Sequence, residues 1–452
     1  MTRNPAPVTP PVVLTIAGSD SGGGAGIQAD LKTIEAGGAF GTSAVTSVTA
    51  QNTTGVESTH VLPTEEIAAQ TEAVTTDFDV AAIKTGMLAT SDVVELVTET
   101  VRESEAPAVV DPVMVAASGD RLLEPEAESA YETLVAESTL VTPNADEAEV
   151  LTGIEVTDSA RAQQAAEELV AMGADAALVK GGHVPGDDVV DVLATEEKIE
   201  TVRHTRVDTE ATHGSGCTLS SAIATRLAHG DDISVAVQTG IDLLARAVRY
   251  NLDVGEGPGA VHHMVAVRDQ AERDPTAERV AEVVSHFVSR DVSRLVPEVG
   301  LNVVGATPYA EVPAECAAVE GRITRTLDGV AANRGVRFGA STNVARFLLA
   351  AREYDADLRF AANCRYDDGV AAALDGQDWT VAEYDPAEQP EDSRGILEWA
   401  ASEAFADTTE TPAAVVGHAA PGWEPTVVLL AADTATLTDR TVTLLEAATD
   451  DE

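Results

Sequence analysis

The residues best suited to chemistry in this sequence form the segment Thr212-His213-Gly214-Ser215-Gly216-Cys217. The segment runs directly into a helix-favouring stretch over 219–228, which is closed by His229-Gly230. Glycines before a helix N-terminus let backbone N–H groups close on an anion, and the helix dipole adds positive potential there. Such a loop suits a transferring phosphoryl group. The alternative is a glycine turn that only caps an ordinary helix.

Cys217 stands at the start of that predicted helix, where a thiolate is favoured. A thiolate there can take a proton from a substrate hydroxyl or hold that hydroxyl in line for attack. A second glycine-rich segment covers residues 17–30, but it contains neither the dinucleotide-binding fingerprint nor the phosphate-binding loop of the Walker type. Its glycines alone are weak support for a binding site.

The elements that must position these residues alternate between short apolar runs and helical patterns from Val12 to about Val267. This alternation predicts a parallel sheet with helices on its faces. Strands are predicted over residues 12–17, 43–48, 80–83, 108–110, 139–141 and 176–179. Polar residues follow them, namely Asp20, Gln51, Asn52, Lys84, Asp111, Asn144 and Lys180. Ligands bind at the carboxyl edge of such sheets, although any one strand also ends simply where a polar turn begins.

The charge balance is extreme, with 28 Lys and Arg against 76 Asp and Glu and a formal net charge of −48. The acids are spread along the chain and the apolar fraction is normal, so we expect a folded protein with a surface suited to high salt, as in a halophile. Such a surface repels nucleic acid. No membrane span or signal peptide is recognisable, and the three cysteines form no disulfide framework, so we expect a cytoplasmic protein.

The chain is long enough for two domains. We predict a flexible N-terminus over 1–11, a first domain over 12–267, a linker over 268–280 and a smaller α/β domain over 281–450. A helix is expected to start at Pro275, which follows Asp274, and to end near Arg290. We also expect a homo-oligomer.

Several segments in the first domain together resemble hydroxymethylpyrimidine (phosphate) kinase of thiamine biosynthesis, a ribokinase-like family. The similarity covers about residues 12–265. The segments that carry it are residues 17–30, 50–53, 84–88, 111–114, 142–147, 180–183, 212–217 and Gly257-Pro258. The resemblance implies a three-layer α/β/α kinase domain with a mainly parallel sheet. It also implies that ATP and Mg²⁺ are used to phosphorylate an aminopyrimidine and then its monophosphate.

The resemblance also implies a role for each matched residue. Gln51 binds the pyrimidine, since an amide both donates and accepts hydrogen bonds. Asp30, Gly18, Met87 and Val113 line the same substrate pocket, although core packing is an alternative for the two apolar side chains. Lys180, Asn144 and Thr212 face the nucleotide phosphates, and Asp111 and Glu147 are the Mg²⁺ ligands. Gly214, Ser215, Gly216 and Cys217 form the catalytic loop.

Residues 275–448 resemble the archaeal-type thiamine phosphate synthase domain, on the segments 297–302, 321–323 and 335–341. That domain joins the pyrimidine diphosphate to a thiazole phosphate. Arg322 matches a functional arginine of the family and suits diphosphate recognition. Asn343 stands where the family usually has histidine, and Trp423 stands where it has lysine. Acid–base and phosphate-binding capacity are therefore reduced, and a regulatory or oligomerising role is an alternative to catalysis.

Two other functions compete with the pyrimidine kinase. Pyridoxal is also a small aromatic ring with a hydroxymethyl group, so a pyridoxal kinase is one alternative. A non-enzymatic sensor of thiamine precursors is the other. The set of Asp111, Glu147, Lys180 and the loop 214–217 argues against a sensor without catalysis.

Overall fold

A computed structural model of the chain describes residues 4, 6–115, 123, 127–391, 393, 395–406, 408 and 410–449. Backbone contacts divide it into two compact units, Met1–Ala266 and Val267–Glu452. Residues 1–3 and 5 of the predicted flexible N-terminus, and residue 450 of the second predicted domain, lie outside the described residues. No helix in the described ranges has the length and apolar character that crossing a membrane requires.

The first unit contains one nine-stranded sheet in the order β3-β2-β1-β4-β5-β6-β7-β8-β9. Its strands are β1 (Val12–Asp20), β2 (Phe40–Asn52), β3 (Gly55–Val61), β4 (Val80–Thr85), β5 (Ala108–Val110), β6 (Leu140–Val141), β7 (Ala176–Val179), β8 (Asp188–Thr195) and β9 (Ile199–Thr205). Six neighbouring strands run parallel, namely β2, β1, β4, β5, β6 and β7. At the two edges, β3 and the hairpin β8–β9 are antiparallel. All six predicted strands are therefore confirmed, and the three antiparallel strands are additions.

Eight helices cover the two faces of this sheet in the described part of the unit. They are α1 (Gly26–Ala36), α2 (Thr64–Asp77), α3 (Ser91–Glu103), α4 (Glu128–Ala136), α5 (Ala145–Thr152), α6 (Ser159–Ala171), α7 (Ser215–Ala228) and α8 (Ile233–Arg249). Side chains alternate along β1, so Leu14 packs in a core with α2–α6 and Val13 packs in a core with α1, α7 and α8. The predicted three-layer α/β/α architecture is confirmed.

The second unit is built on a seven-stranded sheet in the order β14-β11-β10-β15-β18-β17-β16, with a separate β12–β13 hairpin. The strands are β10 (Val303–Ala306), β11 (Cys316–Val319), β12 (Ile323–Thr326), β13 (Gly329–Ala332), β14 (Val336–Phe338), β15 (Phe360–Arg365), β16 (Val381–Tyr384), β17 (Ala414–Gly417) and β18 (Thr426–Ala431). Only the β16–β17 pair is parallel among those described in this sheet. The second sheet is thus mainly antiparallel.

The described residues from Val265 onward form five α-helices, namely α9 (Val265–Arg290), α10 (Asn343–Ala351), α11 (Asp368–Asp375), α12 (Ile396–Ala406) and α13 (Thr434–Thr449). One core holds residues of α9, α11 and α13, and the other holds residues of α10 and α12, so the sheet is covered on both faces. The predicted linker 268–280 is wholly helical, and α9 begins ten residues before the predicted start at Pro275. Helix-favouring residues flank this proline on both sides, so it lies inside the helix without ending it.

Candidate active site

The carboxyl edge of the parallel strands of the first unit opens on a cavity of about 760 Å³. Its walls include most of the residues that the sequence singles out. Those are Gly18, Gln51, Met87, Asp111, Val113, Asn144, Glu147, Lys180, Thr212, Gly214, Ser215, Gly216 and Cys217. Parallel strands all end at the same edge of a sheet, so residues far apart in sequence meet there. Asp30 is the only predicted residue of this unit that does not line the cavity.

One part of the cavity lining is a compact group of opposite charges. Lys180, which follows β7, places its Nζ 3.0 Å from Asp111 Oδ1 and 3.8 Å from Glu147 Oε2. Burial opposes the charge on Lys180, but the two carboxylates outweigh it and raise its pKa. The lysine is therefore cationic near neutral pH and lies where it can meet a phosphate.

The glycines of the loop before α7 are required by close contacts. Gly214 has a φ of +82°, and a Cβ there would lie 1.9 Å from the carbonyl oxygen of Gly24. A Cβ on Gly216 would lie 3.3 Å from both Asp111 Oδ2 and Lys180 Nζ. Gly214 therefore has to be glycine, and the missing side chain at Gly216 leaves room for the start of α7 beside the charged group. An anion beside Lys180 would also face this helix N-terminus.

Asn144 and Glu147 form a reciprocal cap at the start of α5. Asn144 Oδ1 accepts a hydrogen bond from the Glu147 amide at 2.9 Å, and Glu147 Oε2 accepts from the Asn144 amide at 2.8 Å. Burial raises the pKa of Glu147 to about 7, although Lys180 works in the opposite direction. The cap fixes the Glu147 carboxyl beside Lys180, and it engages the Asn144 oxygen that would otherwise face a ligand.

The predicted thiolate at Cys217 is corrected by the structure. Burial raises the pKa of the Cys217 thiol to about 11, and Lys84 lowers it by less. Asp30 and Asp111 add to the rise in the pKa, and the nearby Gly26 amide opposes it. The helix N-terminus alone favours a thiolate, but desolvation and two carboxylates outweigh it, so the resting site holds a thiol.

Asp30 lies beneath the cavity, which corrects its predicted place in the lining. Both Asp30 and Lys84 have fully buried side chains, and Lys84 Nζ lies 2.8 and 2.9 Å from the two Asp30 oxygens. Thr15 and Ser221 donate their hydroxyl protons to the same carboxylate, at 2.6 and 2.8 Å. The carboxylate accepts four hydrogen bonds and has no lone pair directed at a ligand. Lys84 lines the cavity instead.

Another part of the cavity lining combines an oriented amide with apolar side chains. Gln51 Oε1 accepts a hydrogen bond from Thr49 Oγ1 at 3.1 Å, and Gln51 Nε2 lies 3.4 Å from His213 Nε2. Met87 is 9% exposed and Val113 is half-buried. A Cβ on Gly18 would lie 2.7 Å from Ser47 Oγ and 3.2 Å from the Met87 sulfur, so a larger residue there would have to displace these side chains. The arrangement suits a flat ring that both donates and accepts hydrogen bonds at its edge.

In the second unit, the two predicted residues lie on separate elements. Arg322 precedes β12 with a φ of +67°, its side chain is exposed, and its guanidinium donates to the Val299 carbonyl. Asn343 is the first residue of α10 and is exposed. No hydrogen bond joins these two side chains among the described contacts. Trp423 is partly buried against the core that holds α10 and α12.

A comparison of the sequence with protein families decides the identity of the first unit. A family model described as phosphomethylpyrimidine kinase matches residues 20–262, more than half of the chain. The chain belongs to the phosphomethylpyrimidine kinase family. A second model, described as thiamine-phosphate synthase ThiN, matches residues 279–443. Both resemblances predicted from the motifs are confirmed.

Two relatives match this kinase over nearly their whole length, and a third matches it over about half of its length. The hydroxymethylpyrimidine/phosphomethylpyrimidine kinase of Streptomyces coelicolor is 47% identical, and the match covers 58% of this chain and 98% of the relative. A thiamine biosynthesis bifunctional protein, ThiED of Geobacter sulfurreducens, is 43% identical over 58% of this chain and 54% of its own. The solved ADP complex of Bacillus subtilis pyridoxal kinase is 34% identical with a TM-score of 0.53, covering 57% of this chain and 99% of that one.

Sequence reasoning missed several polar pairs in this kinase unit. Asp20 accepts hydrogen bonds from three amides of its own loop and lies 3.3 Å from His213 Nε2. Asp191 accepts from the Gly181 amide at 2.8 Å and lies 3.5 Å from His204 Nε2. The position of Asp191 between two valines of the apolar strand β8 was a usable signal for it. No local signal existed for the pairing of Asp20 with His213, which are 193 residues apart.

Proposed function

We propose that the first unit transfers the γ-phosphoryl group of ATP to the hydroxymethyl oxygen of 4-amino-5-hydroxymethyl-2-methylpyrimidine, and then to the resulting monophosphate. One observation carries this proposal. A single cavity is lined by the oriented Gln51 amide, by the Asp111–Lys180–Glu147 group and by the N-terminus of α7. The names of the kinases that resemble this chain over nearly their whole length support the same substrates.

The residues of the cavity divide the work of the transfer. Gln51, held by Thr49, orients the ring, while Lys180 and the amides at the start of α7 stabilise charge on the equatorial oxygens of the moving phosphoryl group. The bond between the γ-phosphorus and the bridging oxygen of ADP breaks as the bond to the substrate oxygen forms, ADP departs, and the hydroxyl proton passes to water. Because Cys217 is a thiol at rest, its role is to donate a hydrogen bond that positions the reacting oxygen.

Asp111 and Glu147 are the residues that would hold Mg²⁺. They supply hard oxygen donors beside the phosphate site, and Mg²⁺ usually takes one or two carboxylates together with phosphate oxygens and water. The described residues contain no group of three or more His, Cys, Asp and Glu side chains placed to hold a metal alone. The ion would therefore enter with the nucleotide and neutralise its charge.

A competition between substrates tests the proposal. In high salt with Mg·ATP, the full chain is given hydroxymethylpyrimidine, its monophosphate or pyridoxal, and product is measured by mass. We expect turnover of both pyrimidines. Gln51→Leu should lower that turnover, whereas the control Thr54→Ala, a change at an exposed residue nearby, should leave it unaltered. Turnover of pyridoxal alone would favour a pyridoxal kinase as the second candidate function. The similarity of this chain to the Bacillus subtilis pyridoxal kinase structure supports that candidate.

For the second unit, we propose binding of the phosphates of the same pathway, with Arg322 as the residue that meets the diphosphate. The match to thiamine-phosphate synthase supports this reading. Asn343 cannot exchange a proton near neutral pH, so we expect slow condensation of pyrimidine diphosphate with thiazole phosphate. The full chain and its Asn343→His variant are compared for thiamine phosphate formation. Rapid formation of thiamine phosphate by the unaltered chain, or a rate in Asn343→His that is no higher than in the unaltered chain, would contradict the assigned effect of Asn343.

We further propose a cytoplasmic, salt-adapted homo-oligomer. The support for salt adaptation is the net charge of −48, since mutual repulsion among surface carboxylates is screened as ionic strength rises. The thermal midpoint should therefore increase between low and molar KCl. A midpoint that falls with salt would contradict the adaptation, and light scattering at each salt concentration gives the number of subunits.

A further inference from the structure

The Gly257-Pro258 motif and the residues after it have no role in the site described above. The segment Gly255–His263, called here the terminal segment, follows α8 and ends just before α9. It is pinned by an antiparallel bridge between Leu252 and Ala260, with N···O distances of 2.8 and 3.2 Å. Its position is therefore fixed within the first unit, although it belongs to no helix or long strand.

The terminal segment is hydrogen-bonded to both glycine loops of the active site. His263 Nε2 lies 3.1 Å from the carbonyl oxygen of Gly24, in the loop between β1 and α1. The Val261 amide donates to the carbonyl oxygen of His213, in the loop before α7, at 3.2 Å. Three residues of one segment thus span the bonds to two loops that are about 190 residues apart in sequence.

These two loops touch each other at the reaction site. The Gly24 carbonyl packs against Gly214, where a Cβ would come within 1.9 Å of it. Cys217 lies in the first turn of α7, directly after the second loop, and the amide of Gly26, the first residue of α1, is near enough to its sulfur to lower the thiol pKa. The separation of the loops therefore decides how Cys217 and the amides at the start of α7 face the transferring group.

We propose that His263 is a positioning residue for phosphoryl transfer, which together with the Val261 amide sets the separation of the two glycine loops. His263 is 3% exposed, and burial, followed by the charge of Lys32, lowers its pKa to about 4. It is therefore a neutral imidazole at working pH, with Nε2–H donated to Gly24. It holds the loop and moves no proton in the reaction.

The segment also contacts the turn that follows Gln51, a residue of the cavity lining. The Gly257 amide donates to Thr53 Oγ1 at 3.0 Å, two residues beyond Gln51. A Cβ on Gly257 would lie 1.9 Å from the Thr53 carbonyl oxygen, so no larger residue fits unless one of the two backbone segments moves. This contact assigns a reason for the glycine of the Gly257-Pro258 motif, and it extends the inference from the two glycine loops to the turn after Gln51.

The test compares His263→Leu, which removes the donor, with His263→Gln, which keeps an N–H at similar reach. His229→Leu is the matched control, because His229 Nε2 makes the same kind of bond to the Gly37 carbonyl at 3.1 Å, away from the cavity. Two quantities are measured in the full chain, namely kcat with the aminopyrimidine and the alkylation rate of Cys217 by iodoacetamide, followed by peptide mass. Cys316 and Cys364 are buried and serve as internal references.

We expect His263→Leu to lower kcat by at least about tenfold, because small displacements of aligned groups cost that much. We also expect alkylation of Cys217 to rise at least about fivefold as the loops separate. His263→Gln should recover most of both values, and His229→Leu should match the unaltered chain. Unaltered values in His263→Leu, or equal damage in the Leu and Gln variants, would overturn the inference.

A second variant covers the case in which His263→Leu does not fold. Gly257→Ala should raise the KM of the pyrimidine and leave kcat much less changed. An unchanged KM would overturn the inference that the terminal segment also positions the turn after Gln51.

The inference rests on the proposed kinase function only through kcat and KM. If the unaltered chain phosphorylates no pyrimidine while alkylation follows the expected order, the proposed function fails and the positioning role stands.

Discussion

The two units gather polar residues on sheets of different kinds. In the first, Gln51, Asp111 and Lys180 lie on or just after parallel strands, and all three reach one cavity. In the second, most strand pairs are antiparallel, and Arg322 and Asn343 lie on a turn and at a helix start. A parallel sheet brings the ends of many strands to one edge, whereas an antiparallel sheet sends neighbouring strand ends to opposite edges. Strand direction thus explains why the predicted residues of the first unit lie around one cavity and the two of the second unit lie on separate elements.

The ion pairs of the two units differ as strongly as the sheets. Lys84 and Asp30 are wholly removed from solvent, whereas Arg346 and Glu398 are 40% and 35% exposed although their contacts are as short, at 2.7 Å. A buried charge that loses its partner has no water to replace it, while an exposed charge regains hydration. The same kind of contact should therefore have very different weights in the two units.

The largest expected effect is that of Asp30→Ala, which leaves the Lys84 ammonium buried without its partner. We expect the free energy of unfolding of the first unit to fall by about 3–5 kcal/mol. All three tryptophans, Trp379, Trp399 and Trp423, lie in the second unit, so tryptophan fluorescence follows that unit alone. The midpoint of denaturation followed by circular dichroism should therefore fall, while the midpoint followed by tryptophan fluorescence should stay the same. The double change Asp30→Leu with Lys84→Met should restore much of the loss, and a double variant no more stable than Asp30→Ala would contradict the prediction.

Lys180→Ala tests the charged group that lines the cavity. Loss of one preorganised charge that stabilises a transition state lowers kcat by about 10²–10³-fold. Lys198→Ala is the control, since Lys198 is 51% exposed and pairs with Glu200 outside the cavity lining. Steady-state kinetics of both variants check this, and a Lys180→Ala enzyme with more than a tenth of the normal kcat would remove Lys180 from the proposed mechanism.

Cys217→Ala should lower turnover by at least about tenfold, in keeping with the loss of a hydrogen-bonding group at the reacting oxygen. Cys316→Ala is the control, because that side chain is buried in the second unit. Unchanged turnover in Cys217→Ala would leave Cys217 as a packing residue.

The raised pKa of Cys217 gives a separate prediction on pH. Because only the thiolate is alkylated and the pKa lies at about 11, the rate should keep rising about tenfold per pH unit above pH 9. An ordinary thiol would level off near its pKa of about 8.5. Iodoacetamide rates between pH 7 and 10, read on the Cys217 peptide, measure this directly. A plateau near pH 8 would restore the thiolate predicted from the helix start.

The smallest expected effect is that of Arg346→Ala on the second unit. The pair with Glu398 is half exposed, so its loss should reduce the free energy of unfolding by at most about 1 kcal/mol. Tryptophan fluorescence is the measurement, and Trp399 follows Glu398 directly in sequence. A loss as large as that of Asp30→Ala would break the contrast between buried and exposed pairs.

Much of the first unit could be predicted because its signals are local. Apolar runs such as 176–179 have the length of buried strands, and the motifs around Gln51, Asp111 and Cys217 lie where such strands end or helices begin. The helix through Pro275 was mispredicted because a proline at residue 275 reads locally as a helix start. The antiparallel hairpin β8–β9 went unpredicted as well, since its strand β9 is exposed at alternate residues and has no apolar run.

The sequence by itself determined the family, the parallel sheet and the residue types at its edge. Only the tertiary structure decided which carboxylates face the cavity and whether Cys217 keeps its thiol proton. Asp30 and Glu147 are both acids in quoted motifs, but Asp30 is enclosed with Lys84, 54 residues away, while Glu147 lines the cavity. Burial and distance between remote residues set charge and protonation, and neither quantity is local to a motif. The loop before α7 therefore has the shape that its glycines indicate, with a protonated thiol in place of the predicted thiolate.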